Sequence, residues 1–260
     1  PYRQVIRDTW MRQAHVCGAE DIGRLTTSCS VFVTFVVGRQ KDQAATRANA
    51  TRRGKRCPEL EIGAVEADLT VLNIEENMNC GKSQGWFEHA VETYPSATHI
   101  AKMDMDAFVD VSRLMSVVQK HSSECAYAYG GRVWHCAQPI CPPMSCGQPL
   151  TTDYRGEYQG KSPWPKKIPC WAYMQGSFYF MSRTLAIEVA RPNEWWDEHG
   201  SDCEAEDAAA GAAVMHWTRS NTDCIDVVNL LGEQVVWHAD TSRRWGELSS
   251  GGERERERCA

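Results

Sequence analysis

Apolar runs alternate along the chain with segments whose apolar residues repeat at helical spacing. Residues 31–37 are apolar on both faces, which is typical of a central strand in a parallel sheet. Residues 69–74 and 97–103 predict two further strands, and between them residues 82–92 predict a helix that ends before Pro95. This alternation of strands and helices indicates a doubly wound α/β domain.

A second series of elements follows the third strand. An amphipathic helix is predicted where four apolar residues stand at positions i, i+3, i+4 and i+7: Val111, Leu114, Met115 and Val118. The remaining predictions are helices at 3–10, 58–67 and 204–217, a helix that begins near Ser182, and strands at 126–134, 177–181 and within 227–237. Together these elements predict a single α/β domain with a mostly parallel sheet and helices on both faces.

Two carboxylates, Asp104 and Asp106, directly follow the third predicted strand in the sequence, with Met105 between them. Burying a carboxylate is unfavourable unless it is paired or bound to a metal. Open α/β sheets bind ligands at the carboxyl ends of their strands, where Mg²⁺ or Mn²⁺ would bridge such carboxylates to a diphosphate. A solvated turn explains the same residues, because Asp is a common turn residue.

Length and charge narrow the class of protein. The chain has 260 residues, enough for one large α/β domain or two small ones. Its net charge of −6 argues against a nucleic-acid-binding protein, which normally carries a basic excess. No stretch of the sequence is long and apolar enough to span a bilayer. Because the chain starts inside a predicted helix, we expect a targeting or anchoring segment upstream.

Twelve cysteines are many for a cytosolic protein. They indicate an oxidising compartment with several disulfides, although buried free thiols also pack well as small apolar groups. Cys136, Cys141 and Cys146 lie in a Pro-rich loop beside His135, where zinc is a third alternative with poorly matching ligand spacing. Asn49 opens an N-glycosylation sequon that would be accessible in a luminal protein.

The predicted domain and the tail differ in composition. Residues 1–247 carry all the predicted elements and form the predicted domain. Residues 248–260 contain Ser, Gly and alternating Glu and Arg without an apolar face, which predicts a disordered tail. The irregular segment 136–164 is rich in Pro, Gly and Cys, and a loop of that length is usually functional or covalently held.

Five separated stretches match one enzyme family in the same order. They are residues 3–10 (RQVIRDTW), 35–38 (FVVG), 102–109 (KMDMDAFV), 176–182 (GSFYFMS) and 206–211 (EDAAAG). On these residues the chain resembles the β-1,3-glycosyltransferases of glycosyltransferase family 31, and especially their divergent protozoan branch. That family includes galactosyltransferases and N-acetylglucosaminyltransferases.

The resemblance implies a GT-A fold, a Rossmann-like catalytic domain that binds a UDP-sugar and inverts the anomeric carbon. It implies a hexosyltransferase that moves galactose or N-acetylglucosamine to a glycan hydroxyl in a β-1,3 linkage, with Mn²⁺ or Mg²⁺ as cofactor. It also implies a Golgi enzyme whose luminal domain follows an N-terminal membrane anchor. The family's acidic motif Asp-Asp-Asp appears here at residues 104–106, where Met105 replaces the middle Asp, and its glycine motif Gly-x-Gly-Tyr at residues 176–179, where Phe178 replaces the second glycine. Because of these two replacements, a catalytically silent, sugar-binding or scaffolding homologue is the alternative.

The resemblance also implies a metal site. Asp106 is the implied direct ligand, and Asp104 would bind the donor's ribose or a metal-bound water. His238 follows an apolar run and corresponds to the C-terminal His that commonly completes the family's metal site. His216 is the competing ligand, and a core histidine without a metal is the alternative for His238.

The remaining roles concern the base and the substrates. Asp207 matches the second acid of the family's Glu-Asp motif, which implies the catalytic base, although an acid in the first turn of a helix also complements the helix dipole.

Arg7 and Lys82 are candidates for binding the donor's phosphates, since guanidinium and ammonium groups suit phosphate oxygens. An exposed charge without a ligand is the alternative for Lys82. Three aromatic residues are predicted to stack on sugar faces, with a core position as the alternative: Trp164, Trp171 and Tyr173.

Overall fold

The computed structural model describes residues 2–23, 28–39, 66–121, 125–134, 173–203, 205–221, 223, 225–230 and 232–238. Several predicted features lie outside the described residues: the sequon at Asn49, residues 58–65 of the helix predicted at 58–67, the cysteine group at 136–146 with His135, the aromatic residues Trp164 and Trp171, and the tail at 248–260. Within the described part, no helix is long and apolar enough to cross a membrane.

Six α-helices lie in the described part of the chain: α1 (Tyr2–Asp8), α2 (Lys82–Thr93), α3 (Val111–Lys120), α4 (Arg183–Ala190), α5 (Trp195–His199) and α6 (Glu206–Ser220). Local sequence explains where two of them begin. Asp110 caps α3 by accepting from the backbone N–H of Arg113, and Ser182 caps α4 by accepting from that of Leu185. Each cap satisfies an N–H group that the first turn of a helix leaves without a partner.

Ten strands lie in the same residues: β1 (Val16–Gly18), β2 (Val31–Val33), β3 (Phe35–Arg39), β4 (Leu69–Glu75), β5 (His99–Met103), β6 (Ala107–Val109), β7 (Tyr127–Trp134), β8 (Tyr173–Ser182), β9 (Ile225–Asn229) and β10 (Val236–His238). A four-stranded sheet has the order β5-β8-β7-β9, in which β8 runs antiparallel to both neighbours. Its other three strands point in one direction, and β3 and β4 form a separate parallel pair. The predicted α/β fold with mostly parallel strands is confirmed.

Alternate residues of β8 pack on opposite faces of the sheet. Tyr179 and Met181 belong to a core cluster with apolar residues of α2, α4 and α6. Phe178 and Phe180 belong to a second cluster with residues of α3 and β10. Helices therefore cover both faces of the sheet, as the sequence predicts.

Two predicted strands are each divided into two. The run at 31–37 breaks at Thr34, whose hydroxyl donates to the backbone carbonyl of Asp68 (3.0 Å), so that β2 pairs with β1 while β3 pairs with β4. The run within 227–237 breaks near Gly232, whose φ of +89° suits glycine. The first run is apolar except for Thr34, so its pattern did not show the break, whereas the second contains Gly232 and the polar residues Glu233 and Gln234 at the break.

β8 contains a bulge close to the acidic turn. Between the paired positions Gly131–Tyr179 and Val133–Met174, β7 advances by two residues whereas β8 advances by five. The additional residues of β8 include Gly176 and Ser177. Their backbone groups are consequently available to other parts of the chain, as is common where bulges lie next to active sites.

Two disulfides in which both cysteines are described confirm the predicted disulfide bonding: Cys17–Cys29 and Cys80–Cys203. Cys80–Cys203 joins residues 123 positions apart, one shortly before α2 and the other shortly before α6. A crosslink that closes so long a loop restricts the unfolded chain strongly. It also holds the first turns of α2 and α6 together, where the hydroxyl of Ser83 donates to Glu206 Oε2 (3.0 Å).

Candidate active site

The acidic turn lies between β5 and β6. The backbone N–H of Ala107 donates to the carbonyl of Asp104 (3.1 Å), which closes the turn around Asp106. β6 pairs antiparallel with β10, and His238 stands directly opposite Ala107 in that pairing. The pairing therefore brings His238 from the far end of the described chain to the acidic turn.

Asp104, Asp106 and His238 form a group, the Asp-Asp-His cluster, that could hold a metal ion. One ligand atom of each residue lies within 4.8 Å of the others, and His238 Nε2 is 3.3 Å from Asp106 Oδ1. The three side chains are 39, 44 and 32% exposed, so positions around an ion would remain open to substrate oxygens. Two carboxylates and one imidazole fit a divalent cation such as Mn²⁺ that is shared with a diphosphate.

Asp207 lies in the first turn of α6 and faces the bulge of β8. Its Oδ2 accepts from the backbone N–H of Gly176 (2.9 Å) and its Oδ1 from that of Ala208 (2.8 Å). Burial raises the pKa of Asp207 above the ordinary value, and the backbone hydrogen bonds and the charge of Lys102 oppose this only in part. A carboxylate with a raised pKa is better suited to take a proton from a hydroxyl.

Sequence analysis does not single out Lys102 and Glu206, yet they connect the cluster with Asp207. The Lys102 ammonium donates to Asp104 Oδ1 (2.6 Å), to the carbonyl of Gly176 (2.9 Å) and to Glu206. Burial alone would lower the pKa of Lys102, but the charges of Glu206 and Asp104 outweigh it and raise that pKa. A lysine inside an apolar strand is the signal that could have identified this site, because lysine is seldom buried without a partner.

A comparison with protein-family models identifies the family of the chain. The model described as galactosyltransferase matches residues 2–217. The chain belongs to the galactosyltransferase family. The match confirms the resemblance to glycosyltransferase family 31, and the mixed α/β architecture agrees with a GT-A-like fold. A comparison with curated proteins gave no match.

The glycine motif of this galactosyltransferase-family chain lies in the bulge of β8. A Cβ at Gly176 would stand close to three polar atoms: 2.9 Å from Glu206 Oε1, 3.3 Å from Asp207 Oδ2 and 3.5 Å from Lys102 Nζ. The close approach of these groups therefore requires a residue without a side chain. Phe178, at the family's second glycine, is buried in the cluster on the opposite face, so its ring does not enter the polar site.

Gly176→Ala is expected to lower the free energy of unfolding by about 1–3 kcal/mol, because the methyl group forces the partly buried carboxylate of Glu206 out of place. Thermal unfolding of the purified variant measures this loss. Gly85→Ala is the matched control, since a Cβ at Gly85 inside α2 would make an ordinary contact of 3.7 Å with Leu72. The control should be neutral or more stable by up to about 1 kcal/mol. Equal unfolding temperatures for both variants would contradict the need for glycine in the bulge.

Arg7 and Lys82, the predicted phosphate contacts, are both paired with carboxylates. Arg7 donates through Nε and Nη2 to the two oxygens of Asp68 (2.7 and 2.8 Å) and also pairs with Glu66. The hydrogen bonds with Asp68 raise the pKa of Arg7, and they hold the pKa of Asp68 below its usual range. Lys82 donates to Glu76 Oε1 (2.5 Å). Contact with a phosphate stays a prediction for both residues. To bind a phosphate, each side chain would have to release its carboxylate partner or contact the carboxylate and the phosphate together.

His216, the competing metal ligand, does not belong to the Asp-Asp-His cluster. Its ring stacks on Trp195 with a centroid distance of 4.7 Å, and the ring of His199 also stacks on Trp195, at 4.6 Å. The geometry therefore favours His238 over His216 as a ligand. Tyr173 packs against the core cluster at the start of β8, and its contact with an acceptor sugar stays a prediction.

Proposed function

We propose that the chain transfers a hexose from a UDP-sugar to a glycan hydroxyl and inverts the anomeric carbon. Galactose or N-acetylglucosamine is the proposed hexose, and the proposed product carries a β-1,3 linkage. One observation supports the proposal most strongly: Lys102 and Gly176 join the Asp-Asp-His cluster to the partly buried carboxylate of Asp207. One site thus contains groups suited to the departing diphosphate and groups suited to the attacking hydroxyl.

Mn²⁺, or Mg²⁺, is the proposed cofactor. Asp106 and His238 would hold it directly, since their ligand atoms are 3.3 Å apart. Asp104 would contact the donor's ribose or a metal-bound water, with its carboxylate oriented by Lys102. When bound, the cation would place positive charge beside the diphosphate as UDP departs.

Asp207 is the proposed general base. A hydroxyl of the acceptor, hydrogen-bonded to this carboxylate, would give its proton to Asp207 while its oxygen forms a bond to the anomeric carbon. The bond between that carbon and the UDP oxygen breaks, and UDP leaves with the electron pair. Attack from the face opposite UDP inverts the configuration. Arg7 and Lys82 are the proposed contacts of the donor's phosphates, as guanidinium and ammonium groups suit phosphate oxygens.

The proposed location is the lumen of the Golgi apparatus, with a membrane anchor N-terminal to the catalytic domain. The disulfides Cys17–Cys29 and Cys80–Cys203 support a compartment of the secretory pathway, since disulfides persist in oxidising environments. Fluorescence microscopy of the full-length protein with a C-terminal tag tests the location. Fluorescence that stays in the cytosol would contradict it.

Release of UDP from a panel of UDP-sugars tests the proposed function. The panel contains UDP-galactose, UDP-N-acetylglucosamine and UDP-glucose, each with Mn²⁺ or with EDTA and with a mixture of β-linked glycan acceptors. We expect Mn²⁺-dependent release with one of the first two donors and a new β-1,3 linkage in the product by NMR. Binding of UDP without release from any donor would indicate the catalytically silent homologue.

A further inference from the structure

Lys102 orients Asp104 in the steps above, but its ion pair with Glu206, at the centre of the site, has no role in them. Only 18% of the Lys102 side chain and 12% of the Glu206 side chain are exposed. Charged side chains are seldom buried unless they are paired, because each loses its hydration. A buried pair at this place therefore needs an explanation beyond solubility.

The ammonium group of Lys102 reaches three separate elements. It donates to Asp104 Oδ1 in the acidic turn (2.6 Å), to the carbonyl of Gly176 in the bulge of β8 (2.9 Å), and to Glu206 on α6. An ammonium group has three N–H donors, so these acceptors use all of them. Lys102 thereby fixes the acidic turn relative to the bulge and to the start of α6.

Glu206 is held at both of its carboxylate oxygens. Oε1 accepts from Lys102, and Oε2 accepts from the hydroxyls of Ser83 on α2 (3.0 Å) and Tyr179 on β8 (2.7 Å). Asp207 follows Glu206 in the first turn of α6, so an immobilised Glu206 also restricts the position of Asp207. Donors from α2, β5 and β8 therefore converge on the residue next to the proposed base.

We propose that Lys102 and Glu206 are positioning residues that hold Asp104, on the metal side, and Asp207, on the acceptor side, at a fixed separation. This inference rests on the proposed function. In this role neither residue touches the reacting atoms. The positive charge of Lys102 repels a cation beside Asp104. Lys102 therefore orients the Asp104 carboxylate but lowers the affinity of the site for the metal.

Four variants test the role: Lys102→Met, Glu206→Gln, the double variant, and Lys120→Met as a control at an exposed lysine of α3. Lys102→Met should lower the unfolding temperature, because Glu206 keeps a buried charge without its counter-ion. The double variant should regain most of that loss, since Gln offers an oxygen to Tyr179 without a charge. Its kcat should nevertheless stay at least about tenfold below that of the parent, because Asp104 has lost its donor.

The second measurement is Mn²⁺ binding to the protein without substrates, which is detected as a loss of the EPR signal of free Mn²⁺. Lys102→Met should bind Mn²⁺ as tightly as the parent or more tightly, because a competing positive charge is gone. A residue that only supports the fold would lose metal affinity and activity together. Lys120→Met should match the parent in unfolding temperature, kcat and Mn²⁺ affinity.

Two results would overturn the inference. One is a double variant that regains the unfolding temperature of the parent and also has a kcat within about threefold of the parent's. Lys102 would then have a role in folding alone. The other is weaker Mn²⁺ binding by Lys102→Met. If the parent transfers no sugar from any UDP-sugar, the proposed function fails by itself, and the Mn²⁺ titration still decides whether Lys102 acts on Asp104 as inferred.

Discussion

Asp207→Asn is expected to lower kcat for sugar transfer by about 10²–10⁴-fold, the usual contribution of a general base. The amide cannot take up the proton of the acceptor hydroxyl. It can still accept one of the two backbone hydrogen bonds, from Gly176 or Ala208, that Asp207 accepts now. The fold should therefore persist, and circular dichroism together with UDP binding checks that it does.

A matched control separates the base from a simple helix-dipole effect. Asp197 also lies in the first turn of a helix, α5, and is exposed. If Asp207 only complements the dipole of α6, each Asn variant should lose under about 1 kcal/mol of stability and keep its kcat. We expect kcat of Asp197→Asn to equal that of the parent. Substantial transfer by Asp207→Asn would remove Asp207 as the base.

The pH dependence of kcat/KM tests the environment of Asp207 in the protein without substrate. Only the ionised carboxylate of Asp207 accepts a proton, so kcat/KM should fall as the pH is lowered through its pKa. Burial raises that pKa, and the acid limb should therefore lie above the ordinary Asp value of about 3.9. Rates measured across the acid range, with constant ionic strength, locate the limb. A limb at or below the ordinary value would contradict the environment described for Asp207.

His238→Ala is expected to weaken Mn²⁺ binding by at least about 10–100-fold. Removing a residue that only hydrogen-bonds to a metal ligand already causes a loss of that size, and His238 is itself a proposed ligand. The variant removes the one nitrogen ligand of the Asp-Asp-His cluster, which sits beside Asp106 Oδ1. Stability should change little, since the His238 side chain is already 32% exposed. Titration of Mn²⁺ against transfer rate and against the EPR signal measures the loss.

Two other histidine variants make this test specific. His121→Ala removes an exposed histidine after α3 and should leave the Mn²⁺ dependence unchanged. His216→Ala removes the competing candidate, which stacks on Trp195 away from the cluster. A loss of Mn²⁺ affinity in His216→Ala together with unchanged affinity in His238→Ala would show that His216, and not His238, is the metal ligand.

Local patterns predicted the individual elements well. The helix predicted at 82–92 is α2 (Lys82–Thr93), and the four apolar residues at helical spacing lie in α3 (Val111–Lys120). The direction of β8 could not be predicted, because a strand that is buried on both faces gives no signal of its orientation. Its bulge was equally hidden, since the register depends on the partner strand.

The candidate site was predictable only in part, for a similar reason. The resemblance pointed to Asp104, Asp106 and His238, and the pairing of β6 with β10 brings these three together. The connection from Lys102 to Glu206 spans 104 residues and depends on how α6 packs on β8. No local pattern contains such a contact, so it emerged only from the structure.

Met105 is the departure from the family's acidic motif that bears on the metal. Its side chain is 54% exposed at the tip of the turn. Asp104 and Asp106 keep their places in the cluster on either side of it. We therefore expect Met105→Asp to tighten Mn²⁺ binding through its added negative charge.

The location of Mn²⁺ in the protein tests the proposed site most directly. Crystals grown with Mn²⁺ and UDP, measured at the manganese absorption edge, would show the ion by anomalous scattering. We expect one peak within about 2.0–2.4 Å of an Asp106 oxygen and His238 Nε2, with the diphosphate on its open side. A peak away from these residues, or ordered UDP without Mn²⁺ at the cluster, would contradict the proposed site.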